Sequence, residues 1–118
     1  TSYRTLKQFQ IPIALGQHAT TRSSLVKVQP ETGRYHQIRR HFNYVSHPVI
    51  GDTSHGDGRH NRVYREYFGA ERLMLAAVRL EFQHPVTEKP CDINCPADSS
   101  FTTVIDQLDV FRIPPSAD

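Results

Sequence analysis

Apolar residues recur along this chain in two rhythms, and the rhythm changes at prolines and glycines. The opening YRTLKQFQIPIAL alternates loosely, with Leu6, Phe9, Ile11 and Ile13 apolar and Pro12 interrupting. That pattern predicts an edge strand or an extended arm. SSLVKVQPE gives a second short strand on Leu25, Val26 and Val28, stopped at Pro30. Thr32 and Gly33 turn the chain, and Tyr35, Ile38, Phe42 and Val45 follow at spacings of three, four and three. This single stripe predicts a helix running to about His47, because a residue before proline is driven out of the helical region.

From Ile50 to Asn61 the segment IGDTSHGDGRHN reads as loop throughout, with three glycines among Asp, Ser, His and Asn. A short helix over Arg62 to Phe68 closes at Gly69. MLAAVRLEFQHP alternates again and puts Val78, Leu80 and Phe82 on one face of a strand that Pro85 stops. VTEKP is a turn, and PCDINCP is a short strand between prolines. Asp98 or Ser99 then caps a last helix striped by Phe101, Val104, Ile105 and Leu108. No segment repeats. Strands interspersed with three helices, and no recurring βαβ unit, predict an α+β fold.

At 118 residues the chain is one domain's worth of protein, and its 37% hydrophobic content suits a globular chain with a modest core. No apolar run is long enough to span a bilayer and no signal-peptide pattern opens the chain, so no membrane partner is expected. The net charge is only +2, but it is unevenly placed. Thr21 to Arg65 holds eight Lys or Arg against three acids, a local +5, and the remainder carries −3. Five of the seven histidines share that basic segment. Such a concentration suits a polyanion, most commonly a nucleic acid, or else a solvated basic face. Cys91 and Cys95 form a lone pair in CDINC without a second pair to complete a zinc site. They read as two reduced thiols of a cytoplasmic protein.

The basic helix raises a problem of charge. With its stripe packed inward, Arg34, Gln37 and His41 share one flank with Arg40 beside them, and His36 and Arg39 lie on the other. Arg39 falls close to the stripe, so its guanidinium is expected to be half-buried and to need an acceptor. Nothing acidic lies within one helical turn, so the acceptor comes from elsewhere in the fold. A structural carboxylate satisfies that need as well as a functional one.

The loop offers a second constellation. Asp52, His55, Asp57 and His60 can be read as metal ligands, but their spacing fits no helix-borne metal motif. Glycines among His, Arg and Asn suit close approach to a phosphate backbone at least as well, the neighbouring charge favours that reading, and a plain surface loop is the third alternative. No GxSxG elbow supports a serine hydrolase.

Taken together, ETGRYHQIRRHF, HPVIGDTSHGDGRHN and RLMLAAVRLEFQHPVTEKP resemble the C-terminal part of the RluA-type pseudouridine synthases, over about Tyr3 to Leu108. The pairing of GRxHQIRxH with HPxxGD carries the likeness. It implies a mixed, largely antiparallel sheet with helices, the second half of the synthase catalytic domain. It also implies isomerisation of a uridine to pseudouridine by an aspartate nucleophile, without metal or cofactor. The partner it implies is tRNA, with position 65 as the target. The arginine of the family's HQIR run, which pairs with the catalytic aspartate, falls here on Arg39. Leu75 takes the place of a leucine lining the uracil pocket. Arg34, His36, Gln37, Arg40 and His41, with Arg59 and His60 in the loop region, take RNA-contact or scaffold roles.

The departures from the family pattern define further expectations. The run His-Arg-Leu-Asp followed by Thr-Ser-Gly, which carries the nucleophile, is absent, and so is the pocket tyrosine that follows it. Ala76 stands where the family usually has histidine after RLML. The chain is therefore expected to lack the upstream half of its catalytic domain, to be inactive alone, and to self-associate through an open sheet edge. The competing readings are a non-catalytic RNA-binding module and a metal-dependent hydrolytic site.

Overall fold

The computed structural model describes residues 1–30 and 34–114, with the side chain of Phe82 outside the description. The turn expected at Thr32 and Gly33, and the face assigned to Phe82, lie outside the described residues. Strand β1 (Ser2–Ile11) pairs antiparallel with β2 (Thr21–Gln29), with a bulge between Thr5 and Lys7. Helices α1 (Gln37–Tyr44) and α2 (Gly58–Phe68) follow. Strands β3 (Arg79–Gln83) and β4 (Pro90–Asn94) form a second antiparallel pair, and α3 (Ser99–Leu108) with a short 3-10 turn (Asp109–Phe111) ends the order. The fold is α+β, in two two-stranded antiparallel sheets. No described helix is long and apolar enough to cross a membrane.

The core joins β1, α2 and α3. Phe9 and Ile11 supply the strand side, Val63, Tyr64, Phe68 and Ala70 the middle, and Val104 and Leu108 the last helix. Burial of these side chains is the main favourable term holding the body together. The molecule is elongated, with principal extents of 55 × 33 × 30 Å. Among the described residues the β3–β4 hairpin adds nothing to this core, and Leu80 and Ile93, with Val78 just before β3, are exposed.

Three expectations need correction. Helix α2 begins at Gly58, four residues before the expected start, so the segment to Asn61 is not loop throughout. The cause is local: the Asp57 side chain accepts hydrogen bonds from the Arg59 and His60 amides and starts the helix there. Helix α1 stops at Tyr44, before His47, because Ser46 adopts the left-handed region at φ 65°. Third, the α1 stripe is not packed inward as a unit: Tyr35 and Val45 are exposed, and no residue of the helix is fully buried. Phe42 meets the ring of Tyr3 edge-on at 5.6 Å.

Candidate functional site

The site is built where α1 faces the segment between the helices. Asp52 follows Gly51, whose φ of 85° is left-handed and whose missing Cβ makes room for the Arg72 carbonyl. Asn61, reaching back from the first turns of α2, fixes this corner. Its Oδ1 accepts from the Gly51 amide at 2.8 Å and its Nδ2 donates to the Asp52 carbonyl at 2.9 Å. Gly56 completes the bend, since any Cβ there would collide with the same carbonyl.

This bend aims the Asp52 carboxylate at α1. Arg39 donates through Nε to Oδ2 and through Nη2 to Oδ1, both at 2.8 Å. The fork is bidentate and charge-assisted. The Ser54 and His55 amides donate to Oδ1 at 3.0 and 2.8 Å. Asp52 is only 1% exposed, and the Arg39 side chain 17%. The Arg39 hydrogen bond, with the two amides, holds the carboxyl far below the usual carboxylate range against the opposing effect of burial. The acceptor that Arg39 required is thus within this chain, 13 residues away in sequence.

Histidines extend the cluster. Arg39 Nη1 lies 3.1 Å from His36 Nε2, and His36 Nδ1 lies 3.1 Å from His55 Nε2. His36 sits at φ 49° as the N-cap of α1, and the Tyr35 ring stacks on it with centroids 3.7 Å apart. Desolvation, then the Arg39 charge, push the His36 pKa below its ordinary value.

The remaining sequence candidates are placed apart from this centre. Gln37 and His41 converge on Thr1: Gln37 Nε2 donates to the Thr1 hydroxyl at 3.0 Å, and that hydroxyl lies 2.7 Å from His41 Nδ1. The Arg34 amide donates to Gln37 Oε1, and Arg40 Nη1 donates to the Tyr35 carbonyl. Arg59 is exposed in the first turn of α2, beside a hollow lined by Asn43, Ser46, Pro48 and Gly56. His60 Nδ1 lies 3.3 Å from Asp57 Oδ2. Leu75 is half-buried, its carbonyl accepting from Arg72 Nη2 at 3.0 Å.

Asp52, His55, Asp57 and His60 do not converge as ligands. Asp52 is occupied by Arg39 and two amides, and Asp57 caps α2. Among the described residues no group of three His, Cys, Asp or Glu is placed to hold a metal ion. Two features went unassigned in the sequence: Asp52 as the partner of Arg39, and the contact between His36 and His55. A signal for the first was present, because Asp52 is one of only three acids in the basic segment.

The chemistry of the centre is that of a fixed cation. A guanidinium carries five N–H donors, and three of them have partners here among the described residues. A rigid, partly desolvated arginine with N–H groups left over is equipped to hold a second anion. The Asp52 carboxylate is buried and accepts four hydrogen bonds, three of them on Oδ1.

Comparison with known proteins agrees with this architecture. A family model described as RNA pseudouridylate synthase matches residues 1–44, which include α1 and Arg39. Over those residues the chain is similar to the RNA pseudouridylate synthases. Within that class it is 49% identical over 108 residues to the tRNA pseudouridine synthase C of Vibrio cholerae, covering 92% of this chain and 44% of the relative. The proteins of the same name from Salmonella typhi and Yersinia pestis are 45% and 43% identical over 92% and 90% of the chain, and 42% and 41% of their own lengths. The chain spans less than half the length of these relatives.

Proposed function

We propose that this chain is the arginine-bearing part of the catalytic domain of a tRNA pseudouridine synthase. The observation that carries the reading is the 49% identity to a tRNA pseudouridine synthase C over a stretch containing both Arg39 and Asp52. The reaction is an isomerisation. The bond from ribose C1′ to uracil N1 breaks, C1′ joins C5, the C5 proton leaves, and N1 gains one. The change is redox-neutral and calls for no metal or cofactor.

In this reading Asp52 orients Arg39, and the remaining N–H groups of Arg39 hold an aspartate nucleophile supplied by sequence outside this chain. The burial of Asp52 and its four hydrogen bonds support the assignment of attack to another carboxylate. Leu75 lines the uracil pocket, and exposed Arg34, Arg40 and Arg59 meet the phosphate backbone of tRNA, with His36, Gln37, His41 and His60 shaping that surface. The uridine is the one at position 65. The apolar face of β3–β4 packs against the rest of the domain, or against a second copy when the rest is absent.

The test is release of tritium from tRNA carrying 5-tritiated uridine, since C5 must lose its hydrogen. The 118-residue chain alone is expected to release none, and a chain extended by the upstream half to release the label. Release by the chain alone overturns the assignment of the nucleophile. Binding of tRNA without release by the extended chain favours a non-catalytic RNA module.

A further inference from the structure

Donor and acceptor roles around Arg39 form a closed circuit with one solution. A guanidinium in a protein is always protonated and only donates. His36 Nε2, 3.1 Å from Nη1, therefore accepts and bears no proton. A neutral imidazole then carries its proton on Nδ1, and that N–H points at His55 Nε2 at 3.1 Å. His55 Nε2 must accept in turn, so its own proton sits on Nδ1. The circuit closes through the His55 backbone, whose amide donates to Asp52 Oδ1. It joins the helix to the segment after Gly51 at a second point, beside the Arg39–Asp52 fork.

We propose that His36 and His55 are positioning residues for Arg39, a neutral pair in fixed tautomers that holds Nη1 and so sets the plane of the guanidinium. Asp52 fixes one edge of that plane and His36 another. One N–H on Nη1 and one on Nη2 are then left for the second carboxylate. The consequence for turnover rests on the proposed synthase function, but the tautomers do not.

The groups around His36 make the pair sensitive to protons. Arg39, Arg40 and Asp52 bear on it electrostatically, Tyr35 stacks on its face, and His55 meets its Nδ1. Protonation of His36 removes the acceptor and sets two cations face to face.

Two variants separate the alternatives. His55→Gln retains a side-chain acceptor for His36 Nδ1–H, and His55→Phe fills the space without one. Nitrogen NMR of the imidazoles in the 118-residue chain should find His36 neutral and protonated on Nδ1 at pH 7. It should find the same in His55→Gln and a tautomer mixture in His55→Phe. In the extended chain, His55→Phe should lower kcat about tenfold with KM for tRNA unchanged, and His55→Gln should restore most of the loss. A His36 protonated on Nε2, or an unaltered kcat in His55→Phe beside an active parent, overturns the proposal. An inactive parent with the expected tautomers sinks the synthase reading alone, and leaves the pair standing.

Discussion

Helices α1 and α2 are both short and basic, yet they are held by different forces. Helix α2 buries Val63, Tyr64 and Phe68, is capped by Asp57 and ends at Gly69 in the left-handed region at φ 67°. Helix α1 buries nothing fully and has no side-chain cap. It is tied instead by the Arg39–Asp52 fork, the His36–His55 contact and the Gln37 bond to Thr1. The anchored helix keeps its place through apolar contact, which is indifferent to charge. The tied helix keeps its place through the charge states of a few side chains. The Arg39 guanidinium rides on the second kind.

The sharpest way to break this contrast is to remove one anchor of each kind. Phe68→Ala should destabilise the whole chain by about 3–5 kcal/mol in urea unfolding, through lost burial and a cavity. Asp52→Ala should cost about 3 kcal/mol, since it leaves a partly buried cation and two amides without their acceptor. Hydrogen exchange distinguishes the two: Phe68→Ala should raise exchange across α2 and α3, and Asp52→Ala first in α1. Equal exchange throughout both variants would abolish the distinction between the helices.

Acid should act on α1 before α2. The His36 pKa is lowered in the folded chain, so the unfolded chain binds more protons as pH falls through the ordinary histidine value of about 6.5. Its contribution is complete above that value and is lost as pH falls through the lowered one. The Asp52 contribution has the same sign at lower pH: it is complete above the ordinary carboxylate range and is lost well below it. Unfolding midpoints measured against pH should therefore fall in two steps in the wild type. The first step should shrink in His36→Phe.

The surface should respond least in stability. Arg40→Ala and Arg59→Ala should leave unfolding nearly unchanged, yet each should flatten the slope of log affinity for tRNA against log salt by about one. In sedimentation, Leu80→Lys should reduce any concentration-dependent association while changing stability by no more than about 0.5 kcal/mol. An unchanged slope in both arginine variants would remove them from the proposed phosphate-contacting surface.

Much of this molecule was legible in the sequence, and the exceptions share a cause. The α3 stripe, the proline-bounded β4 and the Gly69 stop follow from local periodicity and turn chemistry, so they were found. The start of α2 was missed because Asp57-Gly58 looks like a turn until its carboxylate is seen capping the next amides. The α1 stripe was visible, but periodicity reports which face is apolar and not whether a layer lies against it. Tyr35 shows the difference: on the stripe, it is 74% exposed. The need of Arg39 for an acceptor was readable from its place beside the stripe. Its fulfilment by Asp52 was not, because that contact depends on the bend that Gly51, Gly56 and Asn61 build together.

Whether the carboxylate holds this arginine is read from a double-mutant cycle on Arg39 and Asp52, with Arg39→Met, Asp52→Asn and the pair compared by urea unfolding. Strong non-additivity is expected, with the double variant scarcely less stable than the worse single one. Losses that simply add would contradict it, and would mean that the carboxylate does not hold this arginine in place.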